Sequence, residues 1–333
     1  MKAFIVNGPG VAELGEWPTP RRVRGDVVVT PQRVGICGTD LELVDGTLDP
    51  SYVRYPLVLG HEWVGRIEHE VAGVGPTGTP VVVEGIVPCN TCDECARGAT
   101  NLCMTYDEIG FTRAGALAEH VRAPEGLVHV LSDVVALDDA VFIEPMAVVW
   151  RALTRMPLRH RLRVAVIGDG PIALLAAHMM RLFKPTSIIV FGQRAEQREL
   201  AERAGADDFL VTPPTDRFDL IIEASGSQQG VTTAMSHCER GAIVILLGLP
   251  PHGSKVDLSP GDIVNNDLVI QVSFSYTRAS FREVVQRVNN LELRPSFLIT
   301  HRFTLESVGP ALAALRGGTN EPRGKIVIDV AGD

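Results

Sequence analysis

The sequence predicts an α/β protein with one β-rich domain and a second domain built on a parallel sheet. A chain of 333 residues is long enough for two domains, each with its own core. In residues 1–145, short β-branched runs alternate with glycine and proline, as in antiparallel or barrel-like sheets. After Pro145, strands alternate with helical segments, which is the pattern of βαβ units.

The strands of the β-rich part are predicted from the runs DVVVTPQRVGI, LVLGHEWVGRIEHE and TPVVVEGIV. From about Thr277 the pattern is mixed again, and the chain ends in a further strand, GKIVIDV. We therefore expect residues 1–147 and 276–333 to form one domain and residues 148–275 to form the other.

The parallel sheet is predicted from four buried runs, RVAVIG, SIIVF, FDLIIEA and GAIVILLG, with helical segments between them. PIALLAAHMMRLFK at 171–184 is the first helix, and Pro185 stops it. AEQRELAERAGA is the second helix, with Gly205 at its C-terminal end. Strands that alternate with helices in this way predict a doubly wound sheet.

Composition and charge exclude several classes of function. The formal net charge is −9 and the chain has no lysine or arginine cluster, so we expect no nucleic-acid partner. The first apolar run is too short for a signal peptide. No run approaches the roughly 18 apolar residues that a membrane span needs. We therefore expect a cytoplasmic protein with reduced thiols and no membrane partner.

Four of the six cysteines lie close together, with the spacing C-x2-C-x2-C-x7-C. A reducing compartment disfavours disulfides, and an iron–sulfur cluster usually has a shorter last gap followed by proline. Four reduced thiols in a loop are the remaining alternative, and the polar residues between the cysteines disfavour it. A closed set of four thiolates suits structural zinc. The sequence therefore predicts a structural zinc in the lobe 88–104, held by Cys89, Cys92, Cys95 and Cys103.

A dinucleotide-binding pattern follows the strand RVAVI. The sequence GDGPIA is G-x-G-x-x-A placed between a strand and a helix. The first glycine makes the turn, the second lets pyrophosphate approach the backbone, and the third position packs helix on strand. The start of the helix favours the negative charge of the pyrophosphate. The predicted cofactor-binding residues are Gly168, Gly170, Pro171 and Ile172.

The end of the second strand of this domain predicts the cofactor. NAD-binding folds place an acid there, which binds the ribose 2′-hydroxyl. This sequence has Gly192, Gln193 and Arg194 instead. These positions hold no carboxylate that would repel the 2′-phosphate of NADP, and Arg194 could pair with that phosphate. NADP(H) is therefore favoured over NAD(H). Alternatively, Arg194 stacks on adenine or caps the next helix, and both cofactors are used.

Three motifs of the β-rich domain, GICGTDLELVDG, LGHEWVG and IEPMAVVW, suggest a second metal site. Taken singly they are ordinary, since an isolated cysteine is usually buried in a core and a His-Glu pair usually lies on a surface. Together, Cys37, His61, Glu62 and Glu144 supply one sulfur, one nitrogen and two carboxylates. This donor set suits a catalytic zinc with an open or exchangeable position.

The order of these motifs along the chain resembles that of the zinc-dependent medium-chain dehydrogenase/reductase superfamily. The resemblance covers essentially the whole chain. It implies a GroES-like catalytic domain interrupted by a Rossmann domain, and a homodimer or homotetramer paired through the Rossmann sheets. Glu144 stands where alcohol dehydrogenases have a cysteine, as in the sorbitol and glucose dehydrogenase branches. CGTDLELVDG is similar to the glucose branch, although the C-terminal half is shorter.

The resemblance also implies roles for residues of the catalytic motifs. Cys37 and His61 would be zinc ligands, and Glu62 a ligand that exchanges with water. Which of Glu62 and Glu144 binds the resting zinc stays open. Asp40 would orient the ligand histidine.

Three further residues have predicted roles in catalysis or cofactor binding. Thr39, two residues after Cys37, is placed to take the hydroxyl proton of the substrate and pass it toward the cofactor ribose. Glu42 either helps to release this proton or is a solvated loop carboxylate. Ser225 either lies near the nicotinamide or is a turn residue.

These residues predict a zinc-dependent, NAD(P)-linked oxidation of a secondary alcohol in a polyol, a sugar or a sugar-derived metabolite such as an aminocyclitol. Two alternatives stay open. One is NADPH-dependent reduction of a ketone or aldehyde in a biosynthetic pathway. The other is a catalytically silent cofactor-binding scaffold, although such a relative would be expected to lose Cys37 or His61.

Overall fold

The computed structural model describes residues 1–157, 159–213, 215–251, 253–317 and 321–331. The chain divides into two compact units. The first unit comprises Met1–Ala147, Tyr276–Thr319 and Lys325–Asp333, and the second comprises Val148–Ser275 and Asn320–Gly324. The segment 321–324 thus belongs with the second unit, whereas the sequence pattern assigned it to the first. Residues 318–320, 332 and 333 of that predicted domain lie outside the described residues.

The first unit is rich in short strands, as the sequence predicted. Its strands before residue 147 are β1 (Lys2–Gly8), β2 (Val11–Glu16), β3 (Asp26–Ile36), β4 (Leu57–Val58), β5 (Glu62–Ile67), β6 (Pro80–Val83), β7 (Ile86–Val87), β8 (Asp107–Glu108), β9 (Val121–Pro124) and β10 (Val128–Val130). The helices of this stretch and of the junction with the second unit are α1 (Gly38–Asp45), α2 (Asp93–Ala96), α3 (Leu137–Ala140) and α4 (Ile143–Thr154).

The second unit alternates strands and helices. It contains β11 (Arg163–Ile167), α5 (Pro171–Met180), β12 (Ser187–Phe191), α6 (Arg198–Arg203), β13 (Asp208–Leu210), β14 (Phe218–Glu223), α7 (Gln228–Ser236), β15 (Cys238–Leu246), α8 (Pro260–Asn265) and β16 (Val269–Val272). The chain then completes the first unit with α9 (Arg278–Asn289), β17 (Ile299–Thr304), α10 (Val308–Arg316) and β18 (Lys325–Asp329).

Strand β3 is the centre of the main sheet of the first unit. Among the described residues this sheet runs β10-β6-β5-β3-β18-β17, and β9 pairs with the N-terminal half of β3. The valines and isoleucine of β3 are buried in the core, which explains why so long a strand forms here. Gly35, near the end of β3, pairs with Glu62 on β5 and with Val327 on β18. Three distant parts of the sequence therefore meet beside Cys37.

The sheet of the second unit is parallel and has the order β13-β12-β11-β14-β15-β16 in the described part of the chain. This is the doubly wound order, in which the strand order reverses beside β11, and ligands bind at that point. The predicted α/β class is confirmed. The short strand β13 was not predicted, because its three residues are too few to show the alternation or the apolar run that indicates a strand.

Both predicted helices of the second unit form, but each is shorter than predicted. The first ends as α5 at Met180 and continues as one 3₁₀ turn, Arg181–Phe183. The second begins as a 3₁₀ turn, Ala195–Gln197, before α6. Gly205 has a φ of +102°, a left-handed conformation that ends the helix as predicted.

Candidate functional site

Cys37 lies where β3 ends and α1 begins. It is the residue before the first turn of the helix, and its sulfur accepts a hydrogen bond from the Thr39 amide at 3.3 Å. The carboxylate of Asp40 in turn accepts a hydrogen bond from the Cys37 amide at 2.9 Å. These reciprocal bonds satisfy amide groups that the start of a helix leaves without partners. They also fix the direction of the thiol.

His61 is buried beside Asp40. Its Nδ1 atom lies 3.4 Å from Asp40 Oδ1, and the Asp40 side chain has no exposed surface. Burial acts to lower the pKa of His61, but the charges of Asp40 and Cys37 outweigh it and hold the pKa well above its ordinary value. The structure therefore brings Asp40 against His61, and a role of Asp40 in orienting a metal ligand stays a prediction.

The donor atoms of Cys37, His61 and Glu62 all lie within 4.8 Å of one another. One thiolate, one imidazole and one carboxylate at this separation fit the ligand set of a catalytic zinc site. Glu144 lies outside this compact group, in the first turn of α4. Burial and the nearby charge of Glu62 raise the pKa of Glu144 to about 8. The three residues would hold the metal, and Glu144 stands next to them.

Lys325 joins this group, and the sequence motifs did not reveal it. Its ammonium forms an ion pair with Glu62, and the two side chains are 2% and 3% exposed. Gly35 makes room for the pair, since a Cβ atom at this position would lie 2.5 Å from Glu62 Oε2 and 2.9 Å from Lys325 Cε. The only sequence signal was a lysine at the start of the buried strand KIVID.

Glu108 is a second residue that sequence reasoning missed. Its segment packs against the GHE motif through Gly110, where a Cβ atom would lie 3.0 Å from Gly60 and 3.2 Å from His61 Cβ. Burial raises the pKa of Glu108 to about 7, and His61 opposes the shift. The charge of Glu108 contributes in turn to the raised pKa of Glu144. Two carboxyl groups with pKa values near neutrality therefore stand close to His61.

Thr39 and Glu42 both lie on α1, three residues apart and so on one face of the helix. Each side chain is half-buried. Partial burial raises the pKa of Glu42 above its ordinary value. Both residues therefore lie on the helix that begins directly after Cys37.

The four clustered cysteines converge in the structure. Their sulfur atoms all lie within 4.8 Å of one another, and all four are free thiols. Cys92 precedes α2, Cys95 lies within it, and Cys103 follows the turn Thr100–Leu102. Hydrogen bonds from Thr91 are the main cause that lowers the pKa of Cys89 to about 5. Four converging sulfurs suit the closed tetrahedral zinc site that the spacing predicted.

In the second unit, the fingerprint glycines have the geometry that a dinucleotide needs. Gly168 has a φ of +120°, and a Cβ atom there would lie 2.9 Å from the backbone of Ala224. A Cβ atom on Gly170 would meet no described atom within 4 Å beyond its chain neighbours, so the backbone is open to a ligand. Pro171 is the first residue of α5, and Ile172 follows it. These residues fit a pyrophosphate at the start of the helix.

The residues that follow β12 have an acidic neighbour from another part of the chain. Asp169, the middle residue of GDG, accepts hydrogen bonds from the amides of Gln193 and Arg194 at 2.9 and 3.0 Å. The Arg194 guanidinium is ion-paired with the same carboxylate at 2.6 Å. Gly192 lies under Asp169, because a Cβ atom at residue 192 would lie 2.6 Å from Asp169 Cβ. The sequence motif alone did not reveal this pairing.

Ser225 follows β14 in a tight turn. Its amide and hydroxyl both donate to the buried carboxylate of Glu223, and its hydroxyl lies 2.9 Å from Ser227 Oγ. These contacts correspond to the turn-residue alternative. A contact with nicotinamide stays a prediction.

Within the described residues, none of the helices is both long and apolar enough to cross a membrane.

Two family models match the chain, and together they cover most of it. Residues 23–133 match the alcohol dehydrogenase GroES-like domain. Residues 137–318 match the glucose dehydrogenase C-terminus. The second match alone spans more than half of the 333 residues.

Curated relatives and solved structures agree with these matches. L-threonine 3-dehydrogenase of Streptomyces coelicolor is 31% identical and aligns over 99% of both chains. Erythritol/L-threitol dehydrogenase of Mycolicibacterium smegmatis is 31% identical over 68% of this chain and 67% of its own. A zinc-binding dehydrogenase from Sinorhizobium meliloti, solved with NADP, has a TM-score of 0.91 at 25% identity and covers 98% of both chains. The chain therefore belongs to the zinc-dependent medium-chain dehydrogenase/reductase superfamily, as an oxidoreductase of the alcohol and polyol dehydrogenase type.

Proposed function

We propose that this protein oxidises a secondary alcohol of a polyol, sugar or sugar-derived small molecule, with zinc at Cys37, His61 and Glu62 and NAD(P) as the hydride acceptor. The observation that carries the proposal is the convergence of three donor atoms within 4.8 Å, beside the buried Asp40. When bound, zinc would polarise the alcohol as a Lewis acid, and the nicotinamide would accept the hydride.

Asp40 and Lys325 each contact one of the proposed zinc ligands. Asp40 faces Nδ1 of His61 at 3.4 Å, so Nε2 would be the nitrogen that binds the metal. Lys325 balances the charge of Glu62 in the interior of the first unit. Because this ion pair competes with a metal for Glu62, the carboxylate would be the exchangeable ligand of the set.

Thr39 and Glu42 would remove the proton that the substrate hydroxyl loses. Thr39 Oγ1 would accept this proton and pass its own hydroxyl proton on toward the cofactor ribose and solvent, since Thr39 lies in the first turn after Cys37. Glu42 lies one turn farther along the same face of α1, and its raised pKa makes its carboxylate a better proton acceptor than an exposed glutamate.

The half-buried acids Glu108 and Glu144 support a substrate with several hydroxyl groups. A carboxyl group with a pKa near neutrality can accept a hydrogen bond when ionised and donate one when protonated. Glu108 lies near His61 but is not one of the converging donor residues, so its carboxyl group is available to a substrate hydroxyl. The match to the glucose dehydrogenase C-terminus and the similarity to an erythritol/L-threitol dehydrogenase agree with this substrate class.

The preference for NADP(H) is part of this proposal. It is supported by the absence of an acid at residues 192–194 and by the NADP in the solved Sinorhizobium meliloti neighbour. The ion pair between Arg194 and Asp169 opposes it. We also propose a homo-oligomer that pairs through β16, the last strand of the parallel sheet, where Val269 and Val272 are exposed.

The experiment is a substrate screen with protein of measured zinc content. Polyols, sugars, aminocyclitols and L-threonine are tested for reduction of NAD and NADP. We expect oxidation of a polyhydroxylated substrate, with kcat/KM reduced at least tens-fold in Glu108→Gln. Zinc-loaded protein that oxidises L-threonine but no polyol or sugar would contradict the substrate class. Full activity after complete removal of zinc would contradict the mechanism.

A further inference from the structure

We propose that Asp169, the middle residue of the GDG turn, determines how well the cofactor site accepts the 2′-phosphate of NADP. The proposal rests on the dinucleotide-binding function of the second unit. An acid that selects against a 2′-phosphate is expected at the end of the second strand, and the sequence has none there. In the folded chain, a carboxylate that follows the first strand occupies that place.

The register of the parallel sheet explains how Asp169 reaches this position. Ile167 at the end of β11 pairs with Phe191 at the end of β12. The residues that follow, Asp169 and Gln193, therefore lie side by side above the same edge of the sheet. A Cβ atom on Gly192 would be 2.6 Å from both Cβ and Oδ2 of Asp169 and 2.5 Å from the Phe209 ring. Asp169 thus fills the space that a side chain at residue 192 would otherwise take.

All acceptor positions of the Asp169 carboxylate are used. Oδ2 accepts hydrogen bonds from the main-chain amides of Gln193 and Arg194. Oδ1 accepts hydrogen bonds from Arg194 Nε at 3.1 Å and Arg194 Nη2 at 2.6 Å. A carboxylate offers about four lone-pair sites, so these four bonds satisfy it. The two side chains are only 26% and 13% exposed, so water screens the ion pair incompletely. The sequence motif suggested that Arg194 is an unopposed cation, but in the structure its charge is balanced by Asp169.

The main chain of Asp169 is held as firmly as its side chain. The buried Gln197 donates to the Asp169 carbonyl at 2.6 Å and to the Arg323 carbonyl at 2.9 Å. Gln197 also accepts the Arg323 amide at 2.7 Å. The segment that contains Arg323 is thereby tied to the GDG turn, which explains why it belongs with the second unit.

Three charged groups face one another at this point of the second unit. Burial lowers the pKa of Arg323; the nearby charge of Arg194 lowers it further, and Asp169 opposes both. A 2′-phosphate that approached the two guanidinium groups would also approach the Asp169 carboxylate. Its contact with Arg194 would have to replace a two-point ion pair that already exists. Asp169 thus weakens the phosphate contact by repulsion and by competition.

The test measures binding and does not depend on activity. Calorimetry on the full-length protein compares two cofactor fragments, 5′-AMP and 2′,5′-ADP, which differ by the 2′-phosphate. Asp169→Asn removes the charge, and Asp169→Ser removes it while keeping an acceptor for the loop amides. Asp216→Asn is the matched control, since Asp216 is an exposed acid of the same unit.

We expect both Asp169 variants to raise the affinity for 2′,5′-ADP relative to 5′-AMP by about ten-fold to a hundred-fold, the range of one charge-assisted contact. The control should leave this ratio unchanged. Arg194→Ala should reduce 2′,5′-ADP affinity more in the Asp169→Asn background than in the wild type. An unchanged ratio in both folded Asp169 variants would overturn the proposal and leave Asp169 as a loop cap. If folded wild-type protein and variants bound neither fragment, the dinucleotide function itself would fail.

Discussion

Lys325 and Glu62 form an ion pair in the interior of the first unit, where the side chains are 2% and 3% exposed. The two residues come from neighbouring parts of one sheet, on either side of Gly35. Two charges removed from water are stable together only if each balances the other. The pair therefore neutralises both charges inside the sheet, and it holds the carboxylate that we assign to the metal.

Removing the cation should destabilise the fold strongly. Lys325→Met leaves Glu62 charged and unpaired, at an expected cost of about 3–5 kcal/mol in the free energy of unfolding. Urea unfolding of chelator-treated protein measures this cost. Lys2→Ala is the control, because its ion pair with Glu306 is more than half exposed and is worth at most about 1 kcal/mol. Glu62→Gln combined with Lys325→Met should recover much of the loss; a double variant no more stable than Lys325→Met would contradict the pairing.

The two predicted zinc sites should be separable by metal analysis. We expect up to two zinc ions per chain, of which Cys37→Ala removes one and Cys89→Ser with Cys92→Ser removes the other. Loss of the four-cysteine site should lower Tm, because bound metal stabilises only the folded lobe. Loss of the site at Cys37 should abolish activity with a smaller change in Tm. Cys238→Ser, a cysteine outside both groups, should keep both ions. Wild-type zinc content in either ligand variant would contradict that site.

Thr39 should be required for turnover and not for metal binding. Thr39→Val keeps the branched shape but removes the hydroxyl, so kcat should fall at least tens-fold, within the hundred-fold to ten-thousand-fold range of general acid–base steps. Zinc content and cofactor affinity should not change, and higher pH should partly restore the rate. Thr39→Ser should stay active. Normal turnover of Thr39→Val at neutral pH would show that the proton leaves by another route.

The stability of the metal-free protein should depend on pH through Glu108. Its pKa is about 7 in the folded protein, above the ordinary value of 4.5. Between these values the folded state binds more protons than the unfolded state, so the contribution of Glu108 to stability falls as pH rises from about 4.5 to 7. Glu108→Gln should flatten this part of the profile of unfolding free energy against pH. The exposed Glu199→Gln is the control. An identical slope in wild type and Glu108→Gln would show that Glu108 titrates normally.

The proposed oligomer should depend on the edge strand β16. Val269 and Val272 are 37% and 62% exposed on this strand, which pairs on one side with β15. Light scattering should find a dimer or tetramer in the wild type. Val269→Lys with Val272→Lys should shift it to monomers, because two charges would be buried in the joined sheets. Val134→Lys, at an exposed position of the first unit, should leave the assembly unchanged. A monomeric wild type would refute the proposal.

Features that depend on short spacings could be predicted from the sequence. The cysteine group spans a single lobe, so its spacing predicted that the four sulfurs converge, and they lie within 4.8 Å of one another. The GDGPIA turn lies between a strand and a helix that are adjacent in the chain. The alternation of buried runs and helical segments likewise predicted the parallel sheet, because side-chain period is a local property. Cys37, His61, Glu62 and Glu144 were grouped by the types of donor atom they supply, and the structure brings the donor atoms of the first three together.

Other features were decided by the tertiary structure, because a charge acquires its partner only when distant strands become neighbours. The sequence contains Lys325 and Glu62 in separate motifs, and the pairing of β3 with both β5 and β18 joins them. Likewise Arg194 resembled a free cation until the register of β11 and β12 placed Asp169 against it. Sequence by itself therefore determined the kind of site in each unit. The fold decided which charges each site presents to a ligand, since burial and strand register set the distance between them.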